Sequence, residues 1–313
     1  MTTTIFDNQG SPWAGIGKSV HGAVNVQDAM VRGGLDWDVK KEPLFLADGT
    51  EVDARAVVRE DTNAVLGTVS KKWTPYQNSE AFQWFEPFVE ANELSFSTVG
   101  CCRGGRITWI MAQLNRPNSV VAQGDEVAKY LLMSNSHDGT RAVRVGFTPI
   151  RVVCANTLHA SHKAAGSRLL RVNHSQHVKQ NVDSIREIIS VANQDFEATA
   201  TQYRFLASRQ IKSSDLKKYC KIVLGKETVA DDELSTRTKN QIEAITRLFD
   251  EGRGNDNPYI AGSWWAAYNG VTEWLSYERG NNADNRMASL WFGQNKNVNQ
   301  LAFEQAVELA TAA

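Results

Sequence analysis

Residues 182–206, VDSIREIISVANQDFEATATQYRFL, decide the fold. Apolar side chains recur at Val182, Ile185, Ile189, Ala192, Phe196, Tyr203 and Leu206 in strict 3–4 alternation, with Thr199 the one polar member of the series. That spacing is the seam of an α-helix, and it predicts one long helix from about His174 to Ser208. At 1.5 Å rise per residue such a helix runs about 50 Å. The seam must bury against the rest of the same chain or against another subunit.

Moving toward the N-terminus, the period shifts from helical to alternating. Ile107, Trp109 and Met111 fall on one side of a strand, and Thr108, Ile110 and Ala112 on the other. Strand-like runs also lie at Trp37–Lys40, Pro43–Leu46, Ala56–Arg59, Val65–Ser70, Leu94–Val99, Lys129–Ser134 and Ala142–Val145. Turns are marked at Ala47-Asp48-Gly49-Thr50 and at Cys101-Cys102-Arg103-Gly104-Gly105-Arg106. A short helix is expected over VQDAMVRGGL, ending at Gly33-Gly34, and another over SEAFQWFEPFVEAN, which Pro87 must kink or shorten. Toward the C-terminus, helices are expected at Ser213–Val223, Ser235–Phe249, Ser263–Tyr277, Asn281–Phe292 and Asn299–Ala312, with the Gly/Asn-rich linker 250–258 between the second and third. The expected class is α+β. An antiparallel sheet with a packed helix fills the N-terminal half, and the C-terminal half is helical. At 313 residues two lobes are expected, 1–160 and 161–313.

Charge is sorted along this chain. From Gly139 to Val182 there is no Asp and no Glu, yet Arg141, Arg144, Arg151, Lys163, Arg168, Arg171 and Lys179 all lie there. Four of the six histidines, His159, His162, His174 and His177, are in the same window. The whole chain has a net charge of −1, so a +7 stretch is a local feature. Segregated cations of this kind fit a polyanion. Arg103 and Arg106 at a hairpin tip and Lys71-Lys72-Trp73 at a strand end extend the set. The predicted phosphate contacts are Lys71, Lys72, Arg103, Arg106, Arg141, Arg144, Arg151 and Lys163, with Trp73, or Trp109, stacked on a base. The competing reading is a solvated basic face matched by acids within the chain or across subunits. Strand alternation sends Arg141 and Arg144 to opposite faces.

Other chemistry has thinner support. His137 beside Asp138 could form a base or half of a metal site, but neighbours on a tight turn diverge. Cys154 and His159 are five apart, which separates them on a helix and on a strand. Cys101, Cys102, Cys154 and Cys220 lack a C-x-x-C spacing, so no zinc site is expected. Gly15-x-Gly17-Lys18-Ser19 ends like a phosphate-binding loop, but position 12 is Pro, where that motif needs Gly. No catalytic residue, cofactor or metal is assigned. The N-terminus does not read as a signal peptide, no apolar run approaches about 20 residues, and the thiols suit a reducing compartment. A cytoplasmic protein is expected, with no membrane partner.

Six motifs together carry a resemblance. They are Trp13–Gly17, Leu66–Asn78, Met133–Gly139, Ile150–Leu158, Trp265–Glu273 and Ser289–Gly293. In this order they resemble an uncharacterised phage- and plasmid-borne family of mobile elements. That setting implies DNA metabolism. The architecture is also similar to phage single-strand annealing proteins, which form rings or filaments and hold DNA in a basic groove. The resemblance implies a homo-oligomer that binds single-stranded DNA, with annealing of complementary strands as a further expectation. The alternatives are a protein that modulates a host factor, or a metal-dependent hydrolase or nuclease.

Overall fold

The computed structural model describes residues 17–158, 170–172 and 178–312. The fold is α+β, with an antiparallel sheet in the N-terminal half and helices in the C-terminal half. The main sheet orders β1 (Gly17–Ser19), β5 (Leu94–Cys102), β6 (Ile107–Leu114), β8 (Asp125–Ser136), β9 (Val143–Arg151) and β10 (Leu170–Val172), with β7 (Ser119–Ala122) on β8. A separate three-stranded sheet is built from β2 (Val39–Phe45), β3 (Glu51–Arg59) and β4 (Val65–Val69). Gly17-Lys18-Ser19 thus pairs with β5 as an edge strand and is not a phosphate loop.

Local chemistry sets the element ends. Helix α1 (Val26–Gly33) is capped by Asn25, whose side chain accepts the Asp28 N–H, and it stops where Gly34 turns left-handed at φ +72°. The expected helix over 79–92 is broken into α2 (Asn78–Phe82), a 3-10 turn (Gln83–Phe85) and α3 (Glu86–Glu90). Pro87 is the cause, because it fits only the first turn of a new helix. The long helix is α4 (Val178–Ala207), 30 residues. It is followed by α5 (Ser213–Val223), α6 (Thr236–Glu251), α7 (Trp264–Glu273), a π-helical turn (Trp274–Glu278), α8 (Ala283–Phe292) and α9 (Gln294–Ala312).

The sheet has a core on each face. On one face Trp109, Met111, Tyr130 and Ile150 pack with Phe196, Tyr203, Trp264, Trp265, Tyr268 and Phe303 from the helices. On the other, Ile110, Ala112, Leu131 and Met133 pack with α1, with α2 and α3, and with the small sheet. The alternation expected for residues 107–112 therefore divides β6 between two cores. Helix α4 serves both: Ile185 and Ile189 enter the second, and Phe196, Ala200, Tyr203 and Leu206 the first. The described members of its seam, Ile185, Ile189, Phe196, Thr199, Tyr203 and Leu206, are buried within the chain. A boundary near 160 separates element types, while the larger hydrophobic core runs across it.

Candidate nucleic-acid interface

Strand pairing brings two loops to one end of the main sheet. The first residue of β6 faces the last of β8, Ile107 against Ser136, so the β5–β6 tip and the β8–β9 loop must be neighbours. The His137 N–H donates to the Arg106 carbonyl at 2.8 Å and joins them. Arg103, Gly104 and Gly105 form the tip with φ of +55°, +67° and +91°, and two adjacent glycines make that left-handed turn affordable. The Arg103 N–H donates to both carboxylate oxygens of Asp284, at 2.9 and 2.8 Å, which docks the tip on the first turn of α8.

Arginines gather at this end. Arg103 and Arg106 are exposed, and Arg141 and Arg144 half-buried. The guanidinium groups of Arg141 and Arg144 lie 5.3 and 5.6 Å from the centroid of Phe292, at the end of α8. Both reach one ring because Arg141 sits in the loop before β9 starts at Val143, where pleat alternation does not apply. Among the described residues no carboxylate lies within 4.0 Å of the side-chain nitrogens of Arg103, Arg106, Arg141 or Lys72. Strand β4 lies against the same loop: a Cβ on Gly67 would fall 2.7 Å from the Asp138 Cα, and one on Gly139 2.7 Å from Val69. Lys71 and Lys72 follow two residues after Val69, both exposed. The Lys41 amine holds their turn by donating to the carbonyls of Lys71, at 3.0 Å, and Trp73, at 2.7 Å. Lys71 itself lies 3.8 Å from Glu51.

Arg151 and Trp109 fall outside this group. Arg151 is fully buried at the far end of β9. Its Nε and Nη2 donate to Asp125 at 2.9 and 2.7 Å, and its remaining donors reach Asn255 and the carbonyls of Arg253 and Gly254. Every donor is used internally, so Arg151 is a structural cation and not a phosphate contact. Trp109 is fully buried and edge-on to Trp291 at 5.1 Å, which removes it as a stacking platform. Trp73 is half-buried against the second core. Lys163, with Arg168 and the four histidines of the acid-free window, lies outside the described residues, as does Trp13.

The catalytic candidates have structural jobs. His137 is buried, its Nε2 2.9 Å from the Asn78 side-chain oxygen, which also accepts from Thr108 at 2.7 Å. Burial alone would raise the Asp138 carboxyl. Hydrogen bonds from Ser136 and Thr140, and the Arg141 charge nearby, instead hold it below the ordinary carboxylate range. Its Oδ1 takes three of those bonds and organises the turn. Among the described residues no group of three or more His, Cys, Asp or Glu is placed to hold a metal ion. Nor is any described helix long and apolar enough to cross a membrane. Phe292 and Asp284 were missed from the sequence. Asp284 is 181 residues from Arg103, and only the folded chain brings them together.

No curated protein and no solved structure matches the chain. A family pattern does match, over residues 65–300, which takes in β4 through the start of α9 and every described arginine of the sheet end. The chain therefore belongs to the family described as Domain of unknown function (DUF932).

Proposed function

We propose that this protein binds single-stranded DNA at the arginine-bearing end of the main sheet, as a homo-oligomer, and brings complementary strands together. The single observation that carries the reading is the pairing of Ile107 with Ser136, which sets two arginine-tipped loops side by side over α8. Exposed guanidinium groups there suit phosphates, which they can contact in bidentate fashion. Phe292 under Arg141 and Arg144 offers a flat aromatic and guanidinium surface to an unstacked base. Neutralising phosphates and splaying bases needs no covalent step. The mobile-element setting implied by the sequence motifs fits recombination or replication of phage or plasmid DNA.

The test is fluorescence anisotropy with labelled single- and double-stranded oligonucleotides over a range of salt, with and without magnesium. Single strands are expected to bind, with affinity falling steeply as salt rises. In the double variant Arg106→Ala with Arg141→Ala, two phosphate contacts are removed, and the log–log salt slope should shrink by about 1.4, at roughly 0.7 per contact for a single strand. An unchanged slope removes this end of the sheet from the site. No affinity for any oligonucleotide at low salt ends the reading.

A further inference from the structure

One face of α8 ties both arginine loops together. Asp284, Ala288 and Phe292 follow at intervals of four residues, so they stack on the same side of the helix. Asp284 accepts the Arg103 N–H through both carboxylate oxygens, at 2.9 and 2.8 Å. Ala288 is buried with Cys102 and Ile107, the last residue of β5 and the first of β6. Phe292 lies against the guanidinium groups of Arg141 and Arg144. Eight residues at 1.5 Å rise set the two ends of this face about 12 Å apart. The helix is a strut of fixed length between the β5–β6 tip and the β8–β9 loop.

Asp284 is the only acid in α8, and it is half-buried. It forms no ion pair among the described residues, so it neutralises none of the arginines around it. By charge alone it is a misfit there, because a fixed negative charge lowers the attraction of the surface for a polyanion. Its hydrogen bonds give it another role. Arg106 is held without it, since the His137 N–H donates to the Arg106 carbonyl. Arg103 and Gly104 stand outside that anchor, both exposed, with φ of +55° and +67°. A left-handed backbone is uncommon for a residue other than glycine and persists where its surroundings hold it. The Asp284 carboxylate is what holds Arg103.

We propose that Asp284 is a positioning residue of the nucleic-acid site, which fixes Arg103 at a set distance from Arg141 and Arg144 so that phosphates meet cations already in place. A pre-set arrangement lowers the ordering cost of binding. The inference rests on the proposed function and adds to it a residue that acts through Arg103 and touches no phosphate.

Fluorescence anisotropy of the full chain with a labelled single-stranded oligonucleotide over a range of salt tests it, in D284A and D284N. If only the charge mattered, both variants would bind more tightly than the unaltered chain. Positioning separates them. D284A releases Arg103, so affinity should fall about fivefold at about 0.1 M salt and the log–log slope should shrink by about 0.7, the share of one contact. D284N has the same length and an amide oxygen that still accepts the Arg103 N–H. It should keep the slope and bind at least as tightly as the unaltered chain. Ala288 and Phe292 still seat α8 in both variants, so circular dichroism and the urea midpoint should stay unchanged. D284A binding as tightly as the unaltered chain, or more tightly, overturns the proposal, and so does an equal loss in D284N. If D284A misfolds, D284S decides by the same readings, because serine favours helix starts and its oxygen is one bond short of the tip. An unaltered chain that binds no oligonucleotide ends the proposed function and this inference with it, whereas contrary results in the variants alone leave the proposed function standing.

Discussion

Burial pushes the thiols of Cys102 and Cys220 up to about 12, with the Asp284 charge adding to it at Cys102. Burial likewise lifts Cys154 to about 11, although Arg151 beside it pulls the other way. Only the thiolate reacts, and at pH 8 a thiol of pKa about 11 is ionised in roughly one molecule in a thousand. In the folded chain an aromatic disulfide reagent should therefore label Cys101 at most, because it alone of the four is half-exposed. All four should react once denaturant is added. Rapid native labelling of Cys154 would reopen it as a nucleophile. Arg151 shows the limit of reading single residues. Its sequence neighbours are apolar, as for a strand end, but nothing local says that Asp125, 26 residues upstream, and Asn255, 104 residues downstream, will enclose its guanidinium group. Arg141 carries the same charge and stays half-buried, its guanidinium 5.3 Å from the Phe292 ring centroid and without a carboxylate in ion-pair range among the described residues.

At the scale of an element, α4 separates burial from surface charge. Leu206 is fully buried on its seam, while Arg204 and Glu197 form an ion pair at 3.3 Å with both side chains largely exposed. Leu206→Ala should destabilise the chain by about 2–5 kcal/mol, through lost burial and the cavity left behind. Arg204→Ala should change it by less than about 1 kcal/mol. Urea melts of the two variants check both, and similar effects would mean the seam is loosely packed. Elements with a strong period or a cap were legible in the sequence. The seam of α4, the span Ser213–Val223 and the stop at Gly34 all follow from local chemistry. The π-helical turn after Glu273 was not, because its wider hydrogen-bond spacing leaves no mark in residue type. The sheet end was half legible. Tips and arginines could be read, but their convergence depends on which strands pair, and β6 with β8 was not decided by alternation alone.

For the whole molecule, the question is whether sheet and helices can stand apart. Trp109, Met111, Tyr130 and Ile150 share one core with the helices, so residues 1–160 made alone would expose that face. Such a fragment should aggregate or stay unfolded, and in the full chain tryptophan fluorescence and circular dichroism should report a single coincident transition. The polar anchor of that joint is Asp125 with Arg151. Both are essentially unexposed, the Trp265 indole N–H donates to Asp125 at 2.9 Å, and Arg151 holds the 253–255 linker by its carbonyls and Asn255. β8, β9, the linker and α7 thus meet at one ion pair. Asp125→Ala would leave a guanidinium group buried without its counter-charge and an indole without its acceptor. A buried pair broken on one side is expected to lower the unfolding free energy by about 3–5 kcal/mol. The double variant Asp125→Leu with Arg151→Met removes both charges and should recover part of that loss, since no lone ion remains. Equilibrium melts followed by Trp265-weighted fluorescence would measure both. A loss below about 1 kcal/mol for Asp125→Ala would mean that water reaches Arg151, and that the two halves of the chain are joined by apolar packing alone.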